Sequence, residues 1–183
     1  MADDVVIGEE ELLRKFRSMS EAVQGATLGA VARAGSLPIL NGAKDNIKDQ
    51  GLMESRQLSR SLHTEVVEQS KDRAVSEIGT NLVYAAIHEF GGVIKPKTRK
   101  YLAVPVGTYK GSPLRHNDLK LRKTNGGSLV LVDGGNAVQY VLKTSVEIPA
   151  RPYLRPAYDE KKPLAINEMR DVYLNLVMKA ASE

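Results

Sequence analysis

The sequence predicts an α+β protein: a small antiparallel sheet with N-terminal helices and a long C-terminal amphipathic helix, plus an extended arm or loop. Three observations lead there. Apolar residues recur at helical spacing near both ends of the chain, they alternate at strand spacing in the middle, and no βαβ alternation links the two patterns. Between residues 107 and 128 neither period holds, and glycine, proline and asparagine recur instead. The 183 residues suit a single domain over 1–183, with a helical part over 9–48, sheet and arm over 62–148, and the last helix over about 157–181.

The first helix is expected over residues 9–24, where Leu12, Phe16, Met19 and Val23 share one face of a helical wheel. Glu9, Glu10 and Glu11 would then complement the positive end of its dipole. Gly25 and Thr27 are expected to separate it from a second helix over roughly 27–48, with Leu28, Val31, Ile39, Ala43 and Ile47 toward the core. Pro38 has no N–H to bond back to Ala34, so a kink is expected there, or two helices meeting near Ser36. Gly51 ends the element, and a helical turn follows over 54–61.

Residues 62–68 and 73–79 have strand character, and Ser70-Lys71-Asp72 between them suits a hairpin turn. One or two helical turns fit 82–90, closed by Gly91-Gly92, and 93–106 is expected to be extended because Pro96 and Pro105 oppose helix. A last hairpin over 129–133 and 138–148 turns at Gly134-Gly135-Asn136. Its second strand would put Val138, Tyr140, Leu142, Thr144, Val146 and Ile148 on one face, and Gln139, Val141, Lys143, Ser145 and Glu147 on the other. One face is expected in the core and the other mostly in water. The final helix carries a stripe of Ile166, Met169, Tyr173, Leu176, Val177 and Ala180.

Composition narrows the function. Without cysteine, disulfides and thiolate metal sites are excluded. No window approaches the ~18 apolar residues of a membrane span, and the acidic start Met-Ala-Asp-Asp leads us to expect no signal peptide. The net charge of +4 is unevenly spread: residues 95–123 hold nine bases and one acid, a net +8, which leaves −4 for the rest. The bases are Lys95, Lys97, Arg99, Lys100, Lys110, Arg115, Lys120, Arg122 and Lys123. Three readings of this arm stay open: a solvated loop, a docking arm for an acidic surface on a neighbouring subunit, or nonspecific contact with DNA phosphates. Tyr101 and Tyr109 are the only aromatics near it, too few for a base-stacking platform.

Catalytic patterns are missing. His88-Glu89 opens like a zinc-protease motif, but Gly92 stands where its second histidine belongs, and His63 and His116 lie in other segments. There is no GxSxG elbow, no GxxxxGK and no GxGxxG. Asp118-Leu119-Lys120 resembles half a nuclease site, yet it sits in the loop-like stretch, where a solvated acid is the favoured reading. No catalytic residue, metal or cofactor is therefore expected, and the chain reads as a non-enzymatic assembly subunit.

Two segments stand out instead. The first is Tyr84-Ala85-Ala86-Ile87-His88-Glu89-Phe90-Gly91-Gly92, preceded by Ile78-Gly79-Thr80. Its glycines let the chain reverse, Tyr84 and Phe90 are expected as apolar anchors, and His88 or Glu89 is expected to meet a partner across a subunit boundary. The second is Ile148-Pro149-Ala150-Arg151-Pro152-Tyr153-Leu154-Arg155-Pro156-Ala157. Its prolines set an extended path that ends a strand and launches the last helix, with Tyr153 and Leu154 packing inward. Arg151 and Arg155 are left available to a carboxylate or carbonyl of a partner. The alternative is that both segments simply fix the fold.

In this order, between N-terminal helices and a C-terminal helix, the two segments resemble the tail-completion or minor tail proteins of tailed bacteriophages, a head–tail joining and virion morphogenesis family. The stretch Ile94-Lys95-Pro96-Lys97 to Tyr101-Leu102-Ala103-Val104-Pro105 is similar to an extension found in the branch with a second glycine at position 92. Tyr153 departs from the more usual phenylalanine, and the 107–128 segment is longer than in compact members. The resemblance implies a virion protein of the neck or tail top, assembled in the host cytoplasm as a homo-oligomeric ring, most simply a hexamer. Its implied partners are a head-connector or head-closure protein and a tail terminator or tail tube protein. The alternative is a DNA-binding or channel-lining module that touches packaged DNA through the basic arm. No membrane partner is expected.

Overall fold

The computed structural model describes residues 9–18, 21–52 and 56–182. The chain divides into two compact units, one reaching to Glu89 and resuming at Arg151, the other running from Phe90 to Ala150.

The first unit contains α1 (Glu9–Ser18), α2 (Glu21–Asp49), α3 (Gln57–Ser61), a hairpin of β1 (His63–Gln69) and β2 (Ala74–Gly79), α4 (Ala85–Phe90, ending at the boundary) and α5 (Leu154–Ser182). Long helices α2 and α5 pack antiparallel. A Cβ on Gly35 would meet Met169 and Ala165, and one on Gly42 would meet Lys161 and Ala157. Small residues let the two backbones approach. The core is continuous with this seam: Ile39, Leu40, Ala43 and Ile47 of α2 join Leu58, Leu62, Ala85, Tyr153, Ala157 and Ala165. Ile47 is fully buried, worth roughly 2–3 kcal/mol of apolar transfer.

Several expectations change. Gly25 and Thr27 do not break a helix; both are buried inside α2, and Gly25 lies close to the hairpin turn, where a Cβ would sit 3.3 Å from the Ser70 carbonyl oxygen. The helix expected over 9–24 is accordingly shorter: α1 stops at Ser18, and Met19 and Ser20 lie outside the described residues. Nor do two helices meet near Ser36. Pro38 lies within a continuous α2, and Pro163 lies within α5. Both fall at the same level of the pair, between the Gly35–Ala165 and Gly42–Ala157 contacts, so packing on either side outweighs the backbone hydrogen bond each proline removes.

The stripe expected on α5 is displaced as well. Ile166 and Met169 are 50% and 37% exposed, while Ala157 and Ala165 are buried beside Gly42 and Gly35 of α2. Val177 is buried as expected, Tyr173 is half-buried with its ring edge-on to Phe16 at 5.5 Å, and Ala180 has no described side chain.

The hairpin turns where the sequence indicates. Ser70 Oγ accepts the Arg73 N–H at 3.0 Å, and the Ser70 N–H donates to the Arg73 carbonyl at 2.7 Å. Its inner face packs on α2 through linked hydroxyls, Ser36 to Thr64 at 2.6 Å and Thr64 to Ser76 at 2.9 Å.

The second unit holds two sheets. β3 (Gly92–Ile94) pairs antiparallel with β8 (Val146–Ile148). The other sheet has the order β4 (Leu102–Pro105), β7 (Val138–Lys143), β6 (Leu129–Val132) and β5 (Lys120–Lys123), all antiparallel. The strand expected over 138–148 is therefore two strands serving different sheets, divided at Thr144-Ser145. The expected loop over 107–128 is also more structured, with a 3₁₀ turn at Pro113–Arg115 and β5 on the sheet edge.

Alternation fails at one point in β7. Leu131 pairs with Tyr140 but Val132 pairs with Val138, so Gln139 is the extra residue of a β-bulge. Tyr140 and Gln139 are then both buried, at 0% and 3% exposure, and Val138 is exposed. Alternation alone puts Gln139 and Tyr140 on opposite faces, and the bulge buries both.

Candidate interaction surfaces

The two motif segments meet around the start of α5. A helix begins with N–H groups that have no partner within it. Glu89, on the last turn of α4, supplies acceptors for them: Oε2 takes the N–H groups of Tyr153 at 2.8 Å and Leu154 at 3.0 Å, and Oε1 takes that of Arg155 at 2.9 Å. Charge-assisted bonds at the positive end of a helix dipole are among the stronger hydrogen bonds in proteins. Around this carboxylate the Arg151 N–H donates to the His88 carbonyl at 2.7 Å, the Asn46 amide to the Tyr153 carbonyl at 2.9 Å, and the Gln50 amide to the Pro152 carbonyl at 2.7 Å. Burial, and secondarily the nearby Glu89 charge, push the Tyr153 hydroxyl pKa up.

The four residues expected at an interface thus lie together, in different states. For Glu89 the structure shows an internal role, with both oxygens engaged by its own chain and the residue buried. His88 is half-buried, its ring edge-on to Tyr84 at 5.9 Å, and its Nδ1 has no hydrogen-bond partner among the described residues. Arg151 is exposed. Arg155 is exposed too, with Nε 3.4 Å from Asp159 Oδ2 one turn along α5, a solvated pair worth roughly 0.3–0.5 kcal/mol. Tyr84 and Phe90 are not the anchors expected of them, at 38% and 80% exposure; Ala85 and Glu89 face inward instead.

All nine bases of the arm are exposed on the second unit. Lys95, Lys97, Arg99 and Lys100 follow β3, with Lys100 Nζ 5.6 Å above the Tyr101 ring. Lys110 precedes the 3₁₀ turn and Arg115 ends it, and Lys120, Arg122 and Lys123 lie on β5. With Lys143 the second unit carries ten bases against three acids, a net +7, and the first unit holds the remaining 16 bases and 19 acids, a net −3.

The loop that presents Lys110 and Arg115 is organised by polar contacts that sequence reasoning missed. Gln139 accepts the Tyr109 N–H at 3.1 Å and donates to Asp133 Oδ2 at 2.7 Å. The Tyr109 hydroxyl donates to Asp118 Oδ2 at 2.6 Å, its ring stacks on His116 at 4.3 Å, and the Tyr140 hydroxyl reaches the Gly111 carbonyl at 3.3 Å. The hydrogen bond to Asp118 pushes the Tyr109 pKa up to about 12 and holds the Asp118 carboxyl below the usual carboxylate range. Asp118, the acid of the nuclease-like tripeptide, is thereby a structural acceptor. Among the described residues, no group of three or more His, Asp and Glu side chains is placed to hold a metal ion, and no helix is long and apolar enough to cross a membrane.

Residues 32–175 match the phage virion morphogenesis family, a span that contains both motif segments and the whole second unit. The chain belongs to that family. Its members take part in building phage particles, so this protein is a phage virion morphogenesis protein with an α+β fold. No curated protein and no solved structure gives a significant match to the chain.

Proposed function

We propose that this virion morphogenesis protein is a tail-completion subunit of the phage neck or tail top, and that it joins the tail to the head connector as a ring. The observation that carries the reading is the family match over 32–175, which takes in both segments that resemble tail-completion proteins. The exposed Arg151 and the nine exposed bases of the second unit support it, as charged groups open to a partner. On this reading its neighbours are a head-connector or head-closure protein on one side and a tail terminator or tail tube protein on the other.

Disrupting the gene in the phage provides the test. Lysates should contain DNA-filled heads and finished tails that remain separate, and purified protein added to such a lysate should restore infectious particles. Absent or malformed tails, or normally joined particles, would overturn the reading.

The net +7 of the second unit favours a second reading, in which the protein lines or touches the DNA path. Binding through phosphates would retain duplex DNA at low salt and release it steeply as salt rises. No retention at low salt excludes it.

A further inference from the structure

Antiparallel pairing sets Glu65 of β1 directly opposite Glu77 of β2, and both are exposed on the face of the hairpin turned away from α2. Like charges directly opposite one another destabilise a sheet. No ion pair within the described residues relieves them; the nearby Arg73 pairs with Glu68 instead, at 3.4 Å. At the edge of the second unit's larger sheet, β5 has the complementary character. It pairs with β6 on one side only, all four of its residues are exposed, and Lys120 and Arg122 share one face of the strand. Side chains two residues apart on a strand stand about 7 Å apart, a spacing that lets one cation meet each carboxylate of an opposed pair.

We propose that Lys120 and Arg122 on β5 of one subunit dock on the Glu65–Glu77 pair of the next, so that a second copy of this chain is the occupant of both surfaces. The contact is head-to-tail: the basic and acidic patches belong to different units of the chain, so each subunit offers one patch to each neighbour. Contacts of this kind close into a ring when the rotation between subunits allows it. Nucleic acid would account for the basic edge but would leave the opposed carboxylates unexplained, whereas one intersubunit contact accounts for both. The inference rests on the ring reading above and specifies which surfaces close it.

Charge reversal tests it, read by native mass spectrometry of the purified full-length protein. The wild type should give a ring mass. Glu65→Lys with Glu77→Lys should lose that mass and give monomer, and so should Lys120→Glu with Arg122→Glu. All four changes in one chain make the surfaces complementary again and should restore the ring. Glu65→Lys alone creates a cross-strand ion pair with Glu77, so it should raise the thermal midpoint, showing that lost assembly is not lost folding.

If the wild type forms a ring and both reversed pairs keep its full mass, this contact is overturned while the ring reading stands. A folded fourfold variant that stays monomeric also overturns it. Loss of duplex-DNA retention by Lys120→Glu with Arg122→Glu, with the ring intact, assigns the edge to nucleic acid and overturns it too. A wild type that is monomeric both in solution and in extracts of phage particles removes the ring reading itself, and this contact with it.

Discussion

The two units of the chain are held together by different physics. In the first, ten buried apolar residues form one core and a pair of long helices closes over glycines and alanines. In the second, the buried side chains are Val130, Val132, Tyr140 and Gln139, and the long loop is fastened by named polar contacts to Gln139, Asp118 and Gly111. Burial is non-directional and tolerates adjustment, whereas a hydrogen-bonded loop depends on individual atoms. Order in the first unit rests mainly on apolar burial, and order in the second unit's basic loop on individual polar contacts.

The largest effect should come from a place where the first unit too depends on a single polar group. Glu89→Ala leaves three N–H groups at the start of α5 without their acceptor, and should cost about 3 kcal/mol or more in urea unfolding. Glu89→Gln should recover part of this, since an amide oxygen still accepts. A loss under about 1 kcal/mol for the alanine variant would mean that water satisfies these donors and that the first unit rests on apolar burial alone.

Gly91→Ala examines the backbone of the second unit. Gly91 has φ +69°, and a Cβ would lie 2.7 Å from the Ala150 nitrogen and 3.0 Å from the Ile148 oxygen, both backbone atoms that cannot turn aside. A loss of about 2 kcal/mol is expected, with faster amide exchange in β3 and β8. Unchanged exchange there would show that the pair does not depend on this close approach.

Gln139→Leu keeps approximate volume but removes the acceptor of the Tyr109 N–H and the Thr108 hydroxyl and the donor to Asp133. It should cost about 1–2 kcal/mol and loosen the 107–118 loop, seen as new exchange of the Tyr109 amide. An unchanged loop would show that its order comes from packing, as in the first unit.

The smallest effect is a titration. Because the Tyr109 hydroxyl donates to Asp118, its pKa in the folded protein stands at about 12, above the ordinary value of about 10. A raised folded-state pKa stabilises the fold below pH of about 10, and that contribution is lost as pH rises toward the folded value. For Asp118 the shift is downward, so its contribution holds above the usual carboxylate range and is lost as pH falls through the lowered value. NMR of the Tyr109 ring carbons should show a midpoint near 12 that returns toward the ordinary value in Asp118→Asn. A midpoint that ignores the substitution would sever the link between these side chains.

Much of the fold was legible because local chemistry and final structure agree. The β1–β2 hairpin follows from two alternating runs about Ser70-Lys71-Asp72, and Ile39, Ala43 and Ile47 face the core as their spacing requires. Disagreement arose where distant residues decide. A glycine in isolation weakens a helix, which makes Gly25 read as a break, yet in the fold it is buried within α2 close to the Ser70 carbonyl. Gln139 looked solvent-facing because alternation assumes a regular ladder, and the bulge supplies one extra residue. The opposed Glu65 and Glu77 could have been read from the hairpin, since they lie at equal distances on either side of its turn, although a second bulge makes that pairing uncertain from sequence alone.

By itself the sequence determined the α+β class, the β1–β2 hairpin, the long C-terminal helix, the concentration of basic charge in one stretch, and the two segments that resemble phage tail-completion proteins. These are properties of composition and short-range periodicity, which act before the chain has folded. Only the tertiary structure decided that Glu89 is an internal cap for α5, that part of the supposed arm is an edge strand, and that a carboxylate pair faces outward from the hairpin. Each of these depends on which residues become neighbours across long separations. That is settled by packing and by the need to satisfy buried donors, and no local pattern records it.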